Sequence, residues 1–485
     1  MRHPFIFSPR LSISCLSLLS LLLTACPEGE SPDAGGGGNN GHSSDAGGDG
    51  VDDGGAPTMD AGTPTMDAGI PTMDGGAPTM DAGLPPPPHD GGPMGALSER
   101  LFLGTGEYSP EADWHGILRF EAAQDISSGN VTMRATPDAT MPVKQMTSGS
   151  HNLNFAHSLV HWKNRDELYI SSLFTTDDNH NCGEGLGMNG FPDPTKERCG
   201  SIGVLSNVST ADGAQTVARH LYGPNTRINQ AHGIWLDQTR DILYVANSSL
   251  SDSSDKAILA FEPASTVDGD VAPARVLQYT TMQGFGTPVH VFVDEVMDRL
   301  FIASMNPPQI AIYPNASTQN GDVAPPTRII GDQTRLTDGN NQTTHNVWFI
   351  PHKEWLVVGH HTNEILIYPL SGMNLDSGAG DLNIEPYVLG IHEESDDSDQ
   401  YDWSTYGFFY VREHDRLYVS AGHTQGGNAN GSGGPNPGGS HQIKVYDAFS
   451  MWTTWGQRAP DRRIHWDSWE TYYPPQPLWI TLEPN

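Results

Sequence analysis

From about Leu97 the pattern of apolar and polar positions is all-β. A charged turn feeds a short run of β-branched and aromatic residues, and the arrangement recurs along the chain. Asp166-Glu167-Leu168-Tyr169-Ile170 returns as Asp241-Ile242-Leu243-Tyr244-Val245, as Asp298-Arg299-Leu300-Phe301-Ile302 and as Asp415-Arg416-Leu417-Tyr418-Val419. Lys353-Glu354-Trp355-Leu356-Val357 is a looser copy, and Arg100-Leu101-Phe102-Leu103 starts the same unit. A further strand precedes most copies, as in 232–236 and 290–293. Others follow, as in 257–261, 309–313, 364–368 and 442–446. An outer segment, 270–277 and again 322–330, ends the unit, which predicts four strands.

Equivalent starts at His232, His290, His345 and Tyr406 lie 58, 55 and 61 residues apart, and His157 precedes His232 by 75. Four-stranded units at near-constant spacing predict radial blades. The expectation is therefore an all-β, six-bladed β-propeller of four-stranded blades over residues 97–485. Five units are complete. The sixth, around 100–136, lacks its innermost strand, which the C-terminal run Leu478-Trp479-Ile480-Thr481-Leu482 is expected to supply and so close the ring. A seventh blade degraded within 452–473 is the variant of this reading, and two β-sandwich domains are the structural alternative.

The set His232-Gly233-Ile234-Trp235-Leu236-Asp237, Leu243-Tyr244-Val245-Ala246-Asn247 and 269–275 (GDVAPAR) resembles the NHL-type six-bladed propellers of secreted bacterial proteins. The unit at 290–328 keeps His290, Asp294 and the Gly321–Arg328 segment, with Val291 in place of Gly; the other units depart further. The resemblance implies fold more than activity, since propellers host enzymes, binders and scaffolds alike.

The N-terminus changes the picture of location. Arg2 and Arg10 flank an uncharged stretch, 11–24, that is too short to span a bilayer and has the form of an export signal. Leu23-Thr24-Ala25-Cys26 resembles the lipobox of bacterial lipoproteins, which implies cleavage after residue 25 and lipidation of Cys26. Pro27 at the following position implies, by the same resemblance, an outer-membrane lipoprotein on the periplasmic or cell-surface side. Residues 26–96 carry twelve acidic residues from Pro27 to Ala96 with no Lys or Arg, and a seven-residue repeat of the type GAPTMDA. Proline and glycine in every unit exclude helix and sheet, so this stretch is expected to be a disordered tether. Lipobox and Asp-rich tether together resemble surface lipoproteins of myxobacteria-like organisms.

Charge excludes one class of partner. The 485 residues carry 58 Asp+Glu against 25 Lys+Arg, a net charge of −33, and nucleic acid would be repelled. The expected contacts are the membrane through the N-terminal lipid alone, and an extracellular peptide, glycan or protein. A monomer is expected. Of four Cys, Cys182 and Cys199 remain after export and lipidation, and are expected to form a disulfide in an oxidising compartment. No nucleophile elbow, P-loop or HExxH motif occurs.

The sharpest candidate chemistry is a set of histidines. His157, His232, His290 and His345 precede the innermost strand of four successive units, so radial repetition would gather them at the channel mouth. Neutral imidazole suits zinc or another transition metal. In the NHL-type resemblance a peptide-amidating lyase holds zinc with channel histidines, which implies a metal role for His232, His290 and His345; the Tyr and Arg set of that lyase is not aligned here. The structural alternative is that each histidine hydrogen-bonds the next blade's backbone. Tyr406, His360 and His423 are further ligand-binding candidates. The acidic stretch Glu393, Glu394, Asp396, Asp397, Asp399 and Asp402 offers oxygen ligands suited to calcium, or a solvated loop. Two functions follow from these readings: a lipid-anchored surface propeller that binds a peptide, glycan or protein, or a metal-dependent lyase or hydrolase at the channel mouth.

Overall fold

The structure is a computed structural model. It describes residues 100–106, 116–120, 123, 132–134, 139–142, 152–153, 156–172, 175–176, 200–212, 215–248, 256–280, 284, 286–336, 344–360, 364–391, 403–423, 442–465 and 476–483. The export signal, Cys26, the repeat segment, Cys182, Cys199 and the acidic stretch 393–402 lie outside them. Among the described residues no helix is long and apolar enough to cross a membrane, a statement that leaves β-barrels aside.

The described chain forms a β-propeller of six sheets. Five begin with an innermost strand and run outward in chain order: Ala156–Trp162, Gln230–Asp237, Thr287–Asp294, Thr344–Ile350 and Trp403–Val411 are those strands. The remaining sheet is composite. Its inner strand, Gln476–Glu483, pairs antiparallel with Arg100–Gly106, the next strand outward. Gln476–Glu483 lies beside both Ala156–Trp162 and Trp403–Val411, between the second and sixth sheets.

In the five sheets that run outward in chain order, the innermost strand turns into its neighbour through a tight hairpin that ends on a left-handed residue: Asp166 (φ 52), Asp241 (φ 61), Asp298 (φ 54), Glu354 (φ 49) and Asp415 (φ 48). Aspartate tolerates that region better than most residues, and here its side chain has a second task. The Asp241 carboxylate accepts the Ser265 N–H at 2.7 Å and the Ser265 hydroxyl at 2.6 Å. Asp166 does the same with Ser209, Asp298 with Ser317 and Asp415 with Ser450. The Asp of the recurring pentapeptide is thus a latch from hairpin to outer turn. In the looser copy, Glu354 keeps only the backbone part, its carbonyl accepting from Leu370 N–H at 2.8 Å.

The core lies between sheets. Ile242, Tyr244 and Ile258 of the third sheet pack against Val291, Ile302 and Ala311 of the fourth, all at most 2% exposed. The second strands, such as Ile242–Ser248, are buried along their whole length.

The expected fold is corrected on three counts. First, the blades are not uniformly four-stranded: four of the six sheets carry a fifth, parallel strand. The Gly-Asp at the head of each outer segment does not close its own unit but straps the preceding sheet. Gly321–Asp322 pairs with Arg275–Gln278, and Gly380–Leu382 with Thr327–Ile329. The strap aspartates explain the motif. Asp322 accepts from Thr280 N–H and hydroxyl, and Asp381 holds Arg328 through paired bonds of 2.8 and 2.6 Å. Second, the C-terminal strand does not by itself join the chain ends. Thr132–Arg134, assigned above to the incomplete unit around 100–136, pairs in parallel with Arg462–His465 of the last sheet in chain order. Each sheet also stays open, its hydrogen bonds stopping at an outer edge. Third, there is no seventh blade in the described part of 452–473. Gly456–Gln457 straps the fifth sheet, and Arg462–His465 is an outer strand of the sixth.

Candidate site at the channel mouth

Every innermost strand carries a β-bulge at the same place. One residue there is left over against its partner strand: Leu478, His157, Val289, His345 and Tyr406 in five sheets, while His232 and Gly233 together oppose Ala246 in the third. Bulges break the ladder and re-aim side chains, and they concentrate near functional sites. Counted back from the hairpins, His232 therefore aligns with His157 and His345, and with Val289. His290 does not share their place; it stands one residue further in, at the level of Gly233. The sequence spacing hid this slip because the bulge adds its extra residue silently.

The slip has a packing reason. A Cβ on Gly233 would lie 2.5 Å from His290 Cδ2 and 2.6 Å from its Cα. Glycine lets the fourth sheet approach the third closely at this level, and the imidazole occupies the space.

His157 meets His232 edge-on, with ring centroids 4.9 Å apart. Its Nδ1 lies 2.9 Å from the His232 carbonyl oxygen. A carbonyl only accepts, so Nδ1 carries the proton and the lone pair of His157 is on Nε2. His290 Nδ1 lies 3.4 Å from the Val347 nitrogen, and the Val347 backbone also takes a bond that favours the protonated ring. Both contacts go to the backbone of another sheet, which is the structural role weighed for these histidines, and for His157 the contact fixes the tautomer. Ser171 Oγ donates to the same His232 carbonyl at 2.8 Å, and Ser158 Oγ accepts the Ile234 N–H at 3.2 Å.

Burial holds these rings neutral. It lowers His157 from 6.5 to about 4 and His290 to about 3, and pushes His232 well below its ordinary value. A proton on His157 would also repel one on His232 or His290, which places the three imidazoles within electrostatic reach of each other. His157 keeps some solvent contact while protein surrounds it, as a residue in a channel wall does.

Three residues beyond the bulge, roughly 10 Å along the strand, comes a layer the sequence reading passed over. Trp235, Phe292, Trp348 and Phe409 hold one register on successive sheets. Trp235 touches Phe292 at 4.3 Å and Trp348 touches Phe409 at 4.5 Å. Trp235 also meets Trp348 at 4.9 Å, although their sheets are not neighbours. Phe292 of the sheet between them also meets Trp348 at 4.9 Å, so the three rings form one aromatic cluster at this level. The signal was present in the chain: each aromatic stands at a constant offset from the bulge residue, or from Val289 in the fourth sheet.

The other candidates are placed as follows. His345 is buried at the bulge of the fifth sheet, and His360, also buried, pairs across from Thr344 beside it. His360 is in register with Asn247, which is structural: its Oδ1 accepts Asn229 N–H at 2.7 Å and its Nδ2 donates to Arg227 O at 3.1 Å. Tyr406 and His423 have described strand positions, while their side chains lie outside the described residues. Among the described residues, no group of three or more His, Cys, Asp or Glu converges to hold a metal ion. With one nitrogen of His157 and one of His290 committed to backbone, the described residues do not fit the zinc or calcium weighed above, and no step is routed through a metal.

No protein-family model matches the chain, and no curated protein matches it. Solved structures do align. A periplasmic gluconolactonase of Pseudomonas aeruginosa is 12% identical, over 79% of this chain and 99% of that one, with a TM-score of 0.44. A nidogen/laminin complex aligns at 13% identity, over 79% and 98%, with a TM-score of 0.40. A putative 6-phosphogluconolactonase of Bacteroides uniformis aligns at 11%, over 80% and 99%, also at 0.40. Likeness at this level carries no argument about activity. The NHL-type lipoprotein resemblance is withdrawn, because no family model supports it. Cys182 and Cys199 lie outside the described residues, so the disulfide is not carried forward, and neither is the outer-membrane assignment. What stands is an all-β repeat propeller whose inner strands carry His157, His232, His290 and His345.

Proposed function

We propose that this is an enzyme exported from the cytoplasm, a hydrolase that opens an ester or lactone of a small molecule bound in the channel mouth. Export is supported by the charged start and the short apolar stretch 11–24. The observation that carries the chemistry is the group of neutral imidazoles on neighbouring inner strands, with His157 meeting His232 and holding its proton on Nδ1. His290 offers a ring N–H to the substrate carbonyl oxygen. His157 offers a lone pair at Nε2 to a water proton. Water oxygen then bonds the carbonyl carbon as its proton passes to His157. The carbon–oxygen ester bond breaks, and the leaving oxygen takes the proton back. Both roles need uncharged rings, and burial keeps them so.

The test is turnover of a panel of esters and lactones by the purified full chain. Gluconolactone enters the panel on the strength of a printed name alone. His157→Gln and His290→Gln are each expected to lower kcat by roughly 10²–10⁴, with circular dichroism unchanged. Activity in the wild type is expected to stay level from pH 8 to about 6.5 and to fall below that as the fold is lost, before His157 takes a proton near pH 4. Tight ligand binding with no turnover of any panel member would instead favour the binding-protein reading.

A further inference from the structure

We infer that the hairpin of the fourth sheet binds an arginine side chain presented by a partner polypeptide, with the buried carboxylate of Asp294 as its receptor and Val296 and Met297 as the apolar surface beside it. The hairpin lies at the end of the inner strands away from the bulges, so the site is separate from the histidines and independent of the hydrolase reading.

The support is a difference between two equivalent hairpins. Of the five sheets that run in chain order, only the third and fourth end their inner strand on Asp, at Asp237 and Asp294; Trp162, Ile350 and Val411 stand there in the others. The two hairpins have one length, since Asp237 pairs with Ile242 and Asp294 with Arg299. Both carboxylates use Oδ1 to hold the turn. Asp237 accepts the Arg240 N–H at 2.9 Å, and Asp294 accepts the Val296 N–H at 3.1 Å and the Met297 N–H at 3.3 Å. The second oxygen differs. Asp237 Oδ2 accepts from Arg240 Nη1 at 2.9 Å. In the fourth sheet Met297 takes the place of Arg240, and Asp294, 3% exposed, has its Oδ2 buried without a hydrogen-bond partner. The same place holds Arg165, Lys353 and His414 in the remaining three hairpins, so the fourth alone of the five lacks a basic side chain there. Neighbouring cations are engaged elsewhere. Arg299 holds Asp376 through bonds of 2.6 and 2.9 Å, and Lys353 Nζ lies over the Trp355 ring.

The third sheet also shows how such a carboxylate is reached. The Asp237 side chain is 0% exposed, yet Arg240, 30% exposed, bonds it and donates to the Glu295 carbonyl of the next sheet at 2.9 Å. The matching carbonyl for the fourth sheet is that of Pro351, which accepts the Glu354 N–H at 3.1 Å and keeps a second lone pair. Met297, 48% exposed, occupies the route that Arg240 takes, and Val296 beside it is 84% exposed. A methionine side chain is unbranched and adapts its shape easily. A carboxylate oxygen shut away from water without a donor is costly, and a guanidinium offsets that cost with a charge-assisted bond. Its several donors let one side chain serve the carboxylate and the Pro351 carbonyl together. The net charge of −33 draws a cationic partner in. The exposed Val and Met suit apolar residues on either side of the arginine.

The experiment titrates the full chain into a fluorescently labelled tripeptide, an arginine between two leucines, and into its citrulline counterpart, which has nearly the same shape and no charge. Fluorescence polarisation reads binding. The arginine peptide is expected to bind saturably, about tenfold or more tighter than the citrulline peptide. Asp294→Asn is expected to erase that preference. Met297→Arg supplies the missing cation from within the chain, and is expected to abolish binding and to raise the urea midpoint. Equal affinity for the two peptides overturns the inference, as does an arginine peptide that does not bind at millimolar protein. A preference that survives Asp294→Asn reflects the net charge of the chain and overturns it too. If Asp294→Asn does not fold by circular dichroism, Met297→Arg decides: peptide binding as tight as in the wild type overturns the inference. None of these results depends on ester turnover, so this inference and the hydrolase reading fail separately.

Discussion

Ending the chain at Pro475 is expected to abolish the native fold. Removal of Gln476–Glu483 strips the inner partner from Arg100–Gly106 along seven paired positions. Leu101, Phe102 and Leu103, each 0% exposed, would then face water on one side. Exposing three such side chains costs on the order of 5 kcal/mol, before the lost backbone pairing is counted. A domain margin of about 5–15 kcal/mol does not survive that together with a gap between the second and sixth sheets. Urea unfolding followed by near-ultraviolet circular dichroism is the measurement. Loss of the cooperative transition, regained when a peptide of residues 476–483 is added, is the expected outcome. A truncated chain that unfolds at the wild-type urea concentration would show that the composite sheet is dispensable.

The second large effect is acid unfolding well above the carboxylate range. His157 and His161 sit at about 4 and His290 at about 3 in the fold, with His232 also depressed, chiefly by burial. His161 gains a partial offset from Asp166 at 4.0 Å. The ordinary value is 6.5, so between pH 6.5 and 4 the unfolded chain binds more protons than the native one, and stability falls as pH falls. The contribution is complete above pH 6.5. A shift from 6.5 to about 4 in one histidine corresponds to roughly 3 kcal/mol, and several acting together approach the whole stability margin. Denaturation midpoints from pH 8 to pH 4 should be level above 7 and drop steeply below 6. The drop should be shallower in His161→Phe. A flat profile down to pH 4 would mean the rings take up protons in the folded state without penalty.

The blade repeat could be read from the chain because the latch that makes it is local. Asp241 meets Ser265 within one blade, and the pentapeptide containing it recurs with its apolar strand. The straps could not be read so. Gly321–Asp322 pairs with a strand of the preceding sheet over two residues only, and a two-residue parallel pairing leaves no period in the sequence. The histidine set was half legible. His157, His232 and His345 share one level, but the bulge shifts His290 inward, and only the register with Ala303 reveals it. Trp235, Phe292, Trp348 and Phe409 were visible as strand residues. Their meeting depends on how successive sheets pack, a property of several sheets together and not of any one.

The central claim is that His157 and His290 are uncharged imidazoles on the inner strands and that His157 carries its proton on Nδ1. Nitrogen-15 spectra of the full chain labelled at histidine, with His157 and His290 assigned by substitution, test it most directly. The account predicts a proton on Nδ1 of His157 at pH 7, with neither ring titrating above pH 5 in the folded protein. Titration of either ring near 6.5, or a proton on Nε2 of His157, would contradict it.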